Sequence, residues 1–251
     1  MWKTIHASVI GTSHVGFGSE CQDESIADVL LDANDEGYLV CLVADGAGSA
    51  TKGGRGAELA CITAMTSIEQ SLRTSSLFTT DLVTGWIENI RQAIFSEAEA
   101  TELTGRDYAC TLLGAVIAPN NAVFFQIGDG AIVVSKNKMQ GVVFWPDSGP
   151  YANMTYFVTD TDALTNLDVI IINTSFDEIA VLSDGLQRLA LLFDRQIPHV
   201  PFFDPMLSVL RQQPTDQVEC LESQLAIFLG SARVNERTDD DKTLILSTML
   251  S

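Results

Sequence analysis

The sequence predicts an α+β domain with antiparallel sheets inside and helices outside. Three observations predict it. Strand-like apolar runs fall in hairpin-spaced groups rather than in strict alternation with helices. Long helical patterns come in two blocks, one between residues 53 and 98 and one between 187 and 228. One run, Tyr38 to Ala44, is apolar without a break, as a strand covered on both faces must be.

Taken in order, residues 4–10 and 25–31 read as strands separated by a Gly/Ser-rich loop, Gly11 to Ser19. The strand Tyr38 to Ala44 ends in the loop Asp45-Gly46-Ala47-Gly48-Ser49. Gly53 and Gly54 precede a helix whose Ala57, Ala60, Ile62, Ala64 and Ile68 fall near 3.6-residue spacing. A second helix runs from Asp81 to Ala98 with Trp86, Ile87, Ile90 and Ile94 as its inner stripe. Residues 108–118, 121–127 and 131–135 read as consecutive strands, turned at Asn120-Asn121 and Gly128-Asp129-Gly130. Residues 141–145 and 155–158 are further strand candidates, and Val169–Ile172 with Ile179–Leu182 reads as a strand pair. Helices follow over Gln187–Phe193, Phe203–Gln212 and Asp216–Phe228, and a strand over Thr243–Ser247 closes the chain. No composition shift or linker divides the 251 residues, so one domain over 1–251 is expected.

Composition narrows the function. Fourteen Lys and Arg against 33 Asp and Glu leave a net charge of −19, which repels a nucleic acid backbone. The longest apolar runs, such as Tyr108 to Ala118, are well short of the roughly 20 residues that span a bilayer. The N-terminus carries no sustained apolar stretch, so a cytoplasmic location is the expectation. The five cysteines, at 21, 41, 61, 110 and 220, have no C-x-x-C spacing and read as reduced thiols, mostly in the core.

The chemistry lies in carboxylates at strand ends: Asp45-Gly46, Ser183-Asp184-Gly185, and Asp239-Asp240-Asp241-Lys242-Thr243. A Mg²⁺ or Mn²⁺ ion takes about six oxygen ligands, several of them water, and a short aspartate can fix it from a strand end. A following glycine lets a backbone carbonyl approach as well. Several carboxylates in one pocket repel each other unless cations hold them together. No C-x₅-R nucleophile motif occurs. Aspartyl-phosphate hydrolases of the haloacid type need D-x-D-x-T/V after the first strand, and Asp45-Gly46-Ala47-Gly48-Ser49 has no second aspartate.

The ordered set Gln22-Asp23, Val43-Ala44-Asp45-Gly46-Ala47-Gly48, Ala109-Cys110-Thr111-Leu112, Ile127-Gly128-Asp129-Gly130, Leu182-Ser183-Asp184-Gly185 and Asp240-Asp241-Lys242-Thr243 resembles the metal-dependent protein phosphatases of the 2C type, and in particular their short bacterial members. The resemblance spans residues 5 to 248. It implies a four-layer α/β/β/α sandwich with metals at one edge of two packed antiparallel sheets. It implies a signalling enzyme that hydrolyses phosphoserine or phosphothreonine on proteins phosphorylated by a serine/threonine kinase. Two Mn²⁺ or Mg²⁺ ions would present a bridging hydroxide to phosphorus. By the same resemblance Asp45 bridges both metals and the Gly46 carbonyl binds the second. Asp184 and Asp240 complete the first, Asp23 holds metal-bound water, and Asp129 with Asp184 holds a third ion in some members. Thr243 supports its loop.

Two departures stand out. Many family members carry a phosphate-clasping arginine five residues before the position of Asp23, where this chain has Gly18. Many eukaryotic members carry histidine after the Asp-Gly pair, where this chain has Ala47. Candidate substitutes for the arginine are His14, Lys52, Arg55, Arg106 and Asn153. The departures leave a second reading open, a catalytically weak regulatory or phosphoprotein-binding module with the same fold.

Overall fold

The computed structural model describes residues 1–18, 20–74, 77–146 and 155–250. Two five-stranded antiparallel sheets pack face to face with helices on both outer sides. The first sheet has the order β1 (Trp2–Val9), β12 (Lys242–Met249), β9 (Glu178–Leu182), β6 (Ala131–Lys136), β7 (Met139–Val142). The second has the order β2 (Asp23–Leu31), β3 (Gly37–Asp45), β4 (Leu112–Ile117), β5 (Ala122–Ile127), β8 (Asp168–Ile172). A two-stranded ribbon, β10 (Leu191–Leu192) with β11 (Ile197–Pro198), is hydrogen-bonded to neither sheet, and β11 packs beside β7. The helices are α1 (Thr12–Phe17), α2 (Gly53–Leu72), α3 (Thr80–Ala100), α4 (Gln187–Ala190), α5 (Val200–Gln212), α6 (Val218–Leu229) and α7 (Ala232–Asn235).

The layering follows from side-chain alternation. On β3, Leu39, Cys41 and Val43 face the core between the sheets, while Tyr38, Val40, Leu42 and Ala44 face α2 and α3. Both faces are therefore apolar, which explains the unbroken run in the sequence. The inter-sheet core is completed by Leu113, Ala115, Phe124, Ile132, Val181 and Ile245. On the far side, Leu207, Leu210, Leu221 and Leu225 of α5 and α6 cover Leu182, Leu244 and Leu246.

Several expectations need correction. The loop Gly11–Ser19 contains the short helix α1, closed by Gly18 in the left-handed conformation at φ 71°. Ile62 is 47% exposed; the buried stripe of α2 runs through Ala57, Ala60, Cys61, Ala64 and Ile68. The strand expected over 108–118 is confined to Leu112–Ile117, with a 3-10 turn over Gly105–Tyr108 before it. No strand forms over 155–158, and the helix expected over 187–193 stops at Ala190 because the chain turns into β10. β5 and β6 are not a hairpin: Gly128-Asp129-Gly130 carries the chain from one sheet to the other. Likewise β8 pairs with β5, and β9 with β6 and β12, so the expected pair is split between sheets. Cys41, Cys61 and Cys110 are buried free thiols, whereas Cys220 is exposed.

Candidate metal centre

The acids converge because strand ends converge. Asp23 opens β2 and Asp45 ends β3, and the two are direct cross-strand partners. In the other sheet Ala131, Leu182 and Leu244 stand in line across β6, β9 and β12. Asp129, Asp184 and Asp240 lie just beyond these aligned residues, at the same end of that sheet. The Asp45 backbone is pinned on both sides: its N–H donates to Thr111 Oγ1 at 3.0 Å and its carbonyl accepts from Thr111 N–H at 2.8 Å. Gly46 is wedged against the start of α2, where a Cβ would lie 2.3 Å from the Gly53 carbonyl carbon, so no other residue fits without a backbone shift. Gly185 is held as closely, with its Cβ position 2.0 Å from the Asp241 carbonyl oxygen.

Hydrogen bonds lock the two sheets together at this end. Ser183 Oγ donates to Asp23 Oδ2 at 2.7 Å and accepts from Thr243 N–H at 3.0 Å. Asp241 is only 2% exposed; its Oδ1 accepts from Gly11 N–H and its Oδ2 from Gln22 N–H, both at 2.6 Å. His14 Nδ1 stands 3.0 Å from the same Oδ2. Lys242 is fully buried and donates to Ile10 O at 3.3 Å, Asn235 Oδ1 at 3.1 Å and Asp240 O at 3.1 Å. Sequence reasoning missed Asp241 and Lys242 as organisers of the site. A signal was available: the two-residue period running back from Ile245 through Thr243 reaches Asp241, which therefore faces between the sheets.

The carboxylates strain against one another. Burial lifts the Asp23 carboxyl to about 7, with Asp241 and Asp184 adding to the rise and the Ser183 and Thr243 hydroxyls opposing it. Burial, then the charges of Asp23 and Asp184, push Asp45 well above the usual carboxylate range. Burial, then Asp129 and Asp240, raise Asp184 to about 6. Asp45 and Asp184 are close enough that each shifts the other's titration. Asp23 Oδ1 and Asp184 Oδ1 are buried with no hydrogen-bond partner among the described residues. No three His, Cys, Asp or Glu side chains among the described residues form a ready-made cation cage. Mg²⁺-like ions do not demand one, since they keep much of their water and are held by one or two carboxylates. Buried, partnerless, mutually repelling oxygens fit a hydrated hard dication, whose charge would relieve the repulsion.

The arginine substitutes fare differently. His14 Nδ1 lies 3.0 Å from Asp241 Oδ2 without forming a hydrogen bond, and Arg55 is paired with Glu58 at 2.8 Å and Glu97 at 3.2 Å. Lys52 and Arg106 are exposed and are brought alongside by Lys52 N–H donating to Asp107 O at 2.7 Å. Asn153 lies outside the described residues. Thr155 Oγ1 donates to Asp129 Oδ2 at 2.8 Å.

A sequence model described as protein phosphatase 2C matches residues 10–230. The chain belongs to the protein phosphatase 2C family. It is thus a phosphoprotein phosphatase, a phosphomonoester hydrolase. The phosphatase is 42% identical over 247 residues to serine/threonine-protein phosphatase 3 of Escherichia coli strain K12, with 98% of each chain covered. Its fold is similar to that of the catalytic domain of the serine threonine protein phosphatase PstP in complex with 2 manganese ions, at TM-score 0.66 and 13% identity over 100% of this chain and 99% of that one. It is also similar to serine/threonine phosphatase Stp1 from Staphylococcus aureus, at TM-score 0.62 and 16% identity over 100% and 96% of the two chains. Among the described residues no helix of the phosphatase is long and apolar enough to cross a membrane.

Proposed function

We propose that the phosphatase is a single catalytic domain over 1–251 that removes phosphate from phosphoserine and phosphothreonine in proteins, with Mn²⁺ or Mg²⁺ as cofactor. The observation that carries the assignment is the convergence of acids from both sheets: Asp23 directly opposite Asp45, and Asp184 next to Ser183, whose hydroxyl reaches Asp23 Oδ2 at 2.7 Å. Asp45, the Gly46 carbonyl, Asp184 and Asp240 are the groups that would hold two ions, and Asp129 with Asp184 a third. Bound divalent ions supply Lewis acidity, which makes water nucleophilic near neutral pH and screens the charge of the phosphate. Asp23 orients the attacking water by accepting one of its hydrogens. Its own Oδ2 is fixed by Ser183, which leaves Oδ1 for that contact. Exposed Lys52 and Arg106 are the cations best placed on the Asp45 side to attract an anionic substrate. The gathered acids speak against the binding-only reading. Free thiols and the lack of a membrane-crossing helix among the described residues support a cytoplasmic enzyme acting on kinase-modified proteins.

The test is hydrolysis of p-nitrophenyl phosphate and of a synthetic phosphoserine peptide, with Mn²⁺ and with excess chelator. Activity that needs Mn²⁺ and falls at least a hundredfold in Asp45→Asn is expected. Chelator-insensitive turnover, or an unimpaired Asp45→Asn, would overturn the assignment.

A further inference from the structure

Asp129 lies on the crossing turn Gly128-Asp129-Gly130, outside any strand, so the ladder that fixes Asp23 against Asp45 does not fix it. Its carboxylate Oδ2 accepts from Thr155 Oγ1 at 2.8 Å. Thr155 in turn belongs to a stretch, 155–157, with neither helix nor strand. A hydroxyl on such a chain can aim a carboxylate only if the chain is itself held.

It is held from several sides. The Tyr156 carbonyl oxygen lies 2.8 Å from where a Cβ on Gly128 would stand, so the segment rests directly on the turn that carries Asp129. Phe157 packs on Ala47, Ala50 and Ala109, beside the Asp45 loop. Val158 is fully buried under the helix layer, and its N–H donates to Cys110 O at 2.8 Å. Two carbonyls, Val158 O and Asp160 O, both accept from Arg91 Nη1 on α3, the second at 2.6 Å. The Arg91 guanidinium also lies over the Phe95 ring, 5.1 Å from its centroid, which restricts where it can sit. Arg91 is half-buried, and it serves backbone acceptors that no strand ladder reaches. A carboxylate that binds a metal ion is itself hydrogen-bonded as a rule, and losing that outer partner weakens the ion by about 10–100-fold.

Resting on the phosphatase reading, we infer that Thr155 and Arg91 are positioning residues for Asp129. Arg91 fastens the segment 155–160 to α3, the segment carries the Thr155 hydroxyl, and the hydroxyl aims the Asp129 carboxylate at the ion it would share with Asp184. Arg91 stands outside the cleft, on the helix layer, and acts on the site only through Thr155. The two side chains therefore form one unit, and removing either should undo what the other does.

The experiment titrates the metal-free full chain with Mn²⁺ in a calorimeter, as wild type, Thr155→Val, Thr155→Ser, Arg91→Met and the double variant Thr155→Val with Arg91→Met. Wild type should show a weaker binding step after the tighter ones, and that step belongs to Asp129. Thr155→Val should weaken it by about 10–100-fold while the tighter steps persist, and Thr155→Ser, which keeps the hydroxyl, should restore it. Arg91→Met should weaken the same step, and in the double variant it should add no further loss, because its effect passes through the Thr155 hydroxyl. A merely structural Arg91 would instead weaken every step, or add its loss to that of Thr155→Val. Should Arg91→Met fail to fold, Arg91→Lys, with one ammonium for two carbonyls, carries the same comparison. A wild type with no weaker step, a wild-type isotherm in Thr155→Val or in the Arg91 variant, additive losses, or a loss in Thr155→Ser equal to that in Thr155→Val would overturn the inference. The phosphatase reading falls separately, if wild type fails to turn over p-nitrophenyl phosphate with Mn²⁺.

Discussion

Acidifying the metal-free phosphatase should stabilise it. Asp23 titrates near 7 in the folded chain against an ordinary value of 3.8, and Asp184 near 6. A carboxyl with a raised folded pKa binds more protons folded than unfolded between those two values, so its cost is present at high pH and relieved as pH falls through the folded pKa. Between pH 7.5 and 5 the linkage integral gives about 2–3 kcal/mol for Asp23 and about 1–2 kcal/mol for Asp184, and Asp45, also raised, acts in the same direction. Their mutual repulsion makes these overlapping rather than additive, so the net gain should be about 2–4 kcal/mol. For a chain of this length that raises Tm by on the order of 10 °C. The assay is a thermal melt in excess chelator at pH 7.5, 6 and 5, repeated with millimolar Mn²⁺ and with Asp23→Asn. Mn²⁺ should raise Tm most at pH 7.5 and least at pH 5, since protons and cation relieve the same repulsion. Asp23→Asn should reduce the acid gain measurably, with Asp45 and Asp184 keeping the rest. A metal-free Tm that is flat or falling toward pH 5 would refute the reasoning. So would an unchanged slope in Asp23→Asn, which would trace the gain to the surface charge of −19 instead.

Three further outcomes are expected. Lys242→Met strands the acceptors Ile10 O, Asn235 Oδ1 and Asp240 O, and should cost about 2–3 kcal/mol in urea unfolding while lowering activity through a loosened Asp240 turn. Gly185→Ala places a methyl 2.0 Å from the Asp241 carbonyl oxygen, and should cost about 1–3 kcal/mol with far-UV dichroism unchanged but Mn²⁺ affinity reduced in calorimetry. Phe124→Ala empties the fully buried inter-sheet core where Phe124 stacks edge-on against Phe176 at 5.6 Å, and should cost about 3–5 kcal/mol by urea midpoint.

Much of the architecture was legible where local pattern and tertiary environment agree. The stripe Trp86, Ile87, Ile90 and Ile94 is buried on α3 because a surface helix needs one apolar face and this sequence has one. The order of the acidic motifs was likewise readable, because each sits where an apolar strand stops. Partnership between strands was not. Gly128-Asp129-Gly130 has the composition of a hairpin turn, and nothing nearby says that the chain leaves one sheet for the other. The short helix α1 was hidden by the glycines around it, and its position is held from outside by Asp239 O accepting from Ser13 N–H and Ser13 Oγ. Asp240 and Asp241 look alike as letters. Only the strand alternation behind Thr243 separates Asp240, proposed for the metal site, from Asp241, which fastens the loops of Gly11 and Gln22.

The division of the acids between two sheets has a consequence for how the enzyme fails. Asp23 and Asp45 travel with one layer, Asp129, Asp184 and Asp240 with the other, and the Ser183 hydroxyl spans the join. Any wedge that parts the layers by even a bond length abolishes turnover while leaving each layer's own ladder and helices whole. Loss of activity should therefore precede loss of secondary structure on heating, and a compound that slips between the layers would inhibit from the rear of the molecule without ever meeting the substrate.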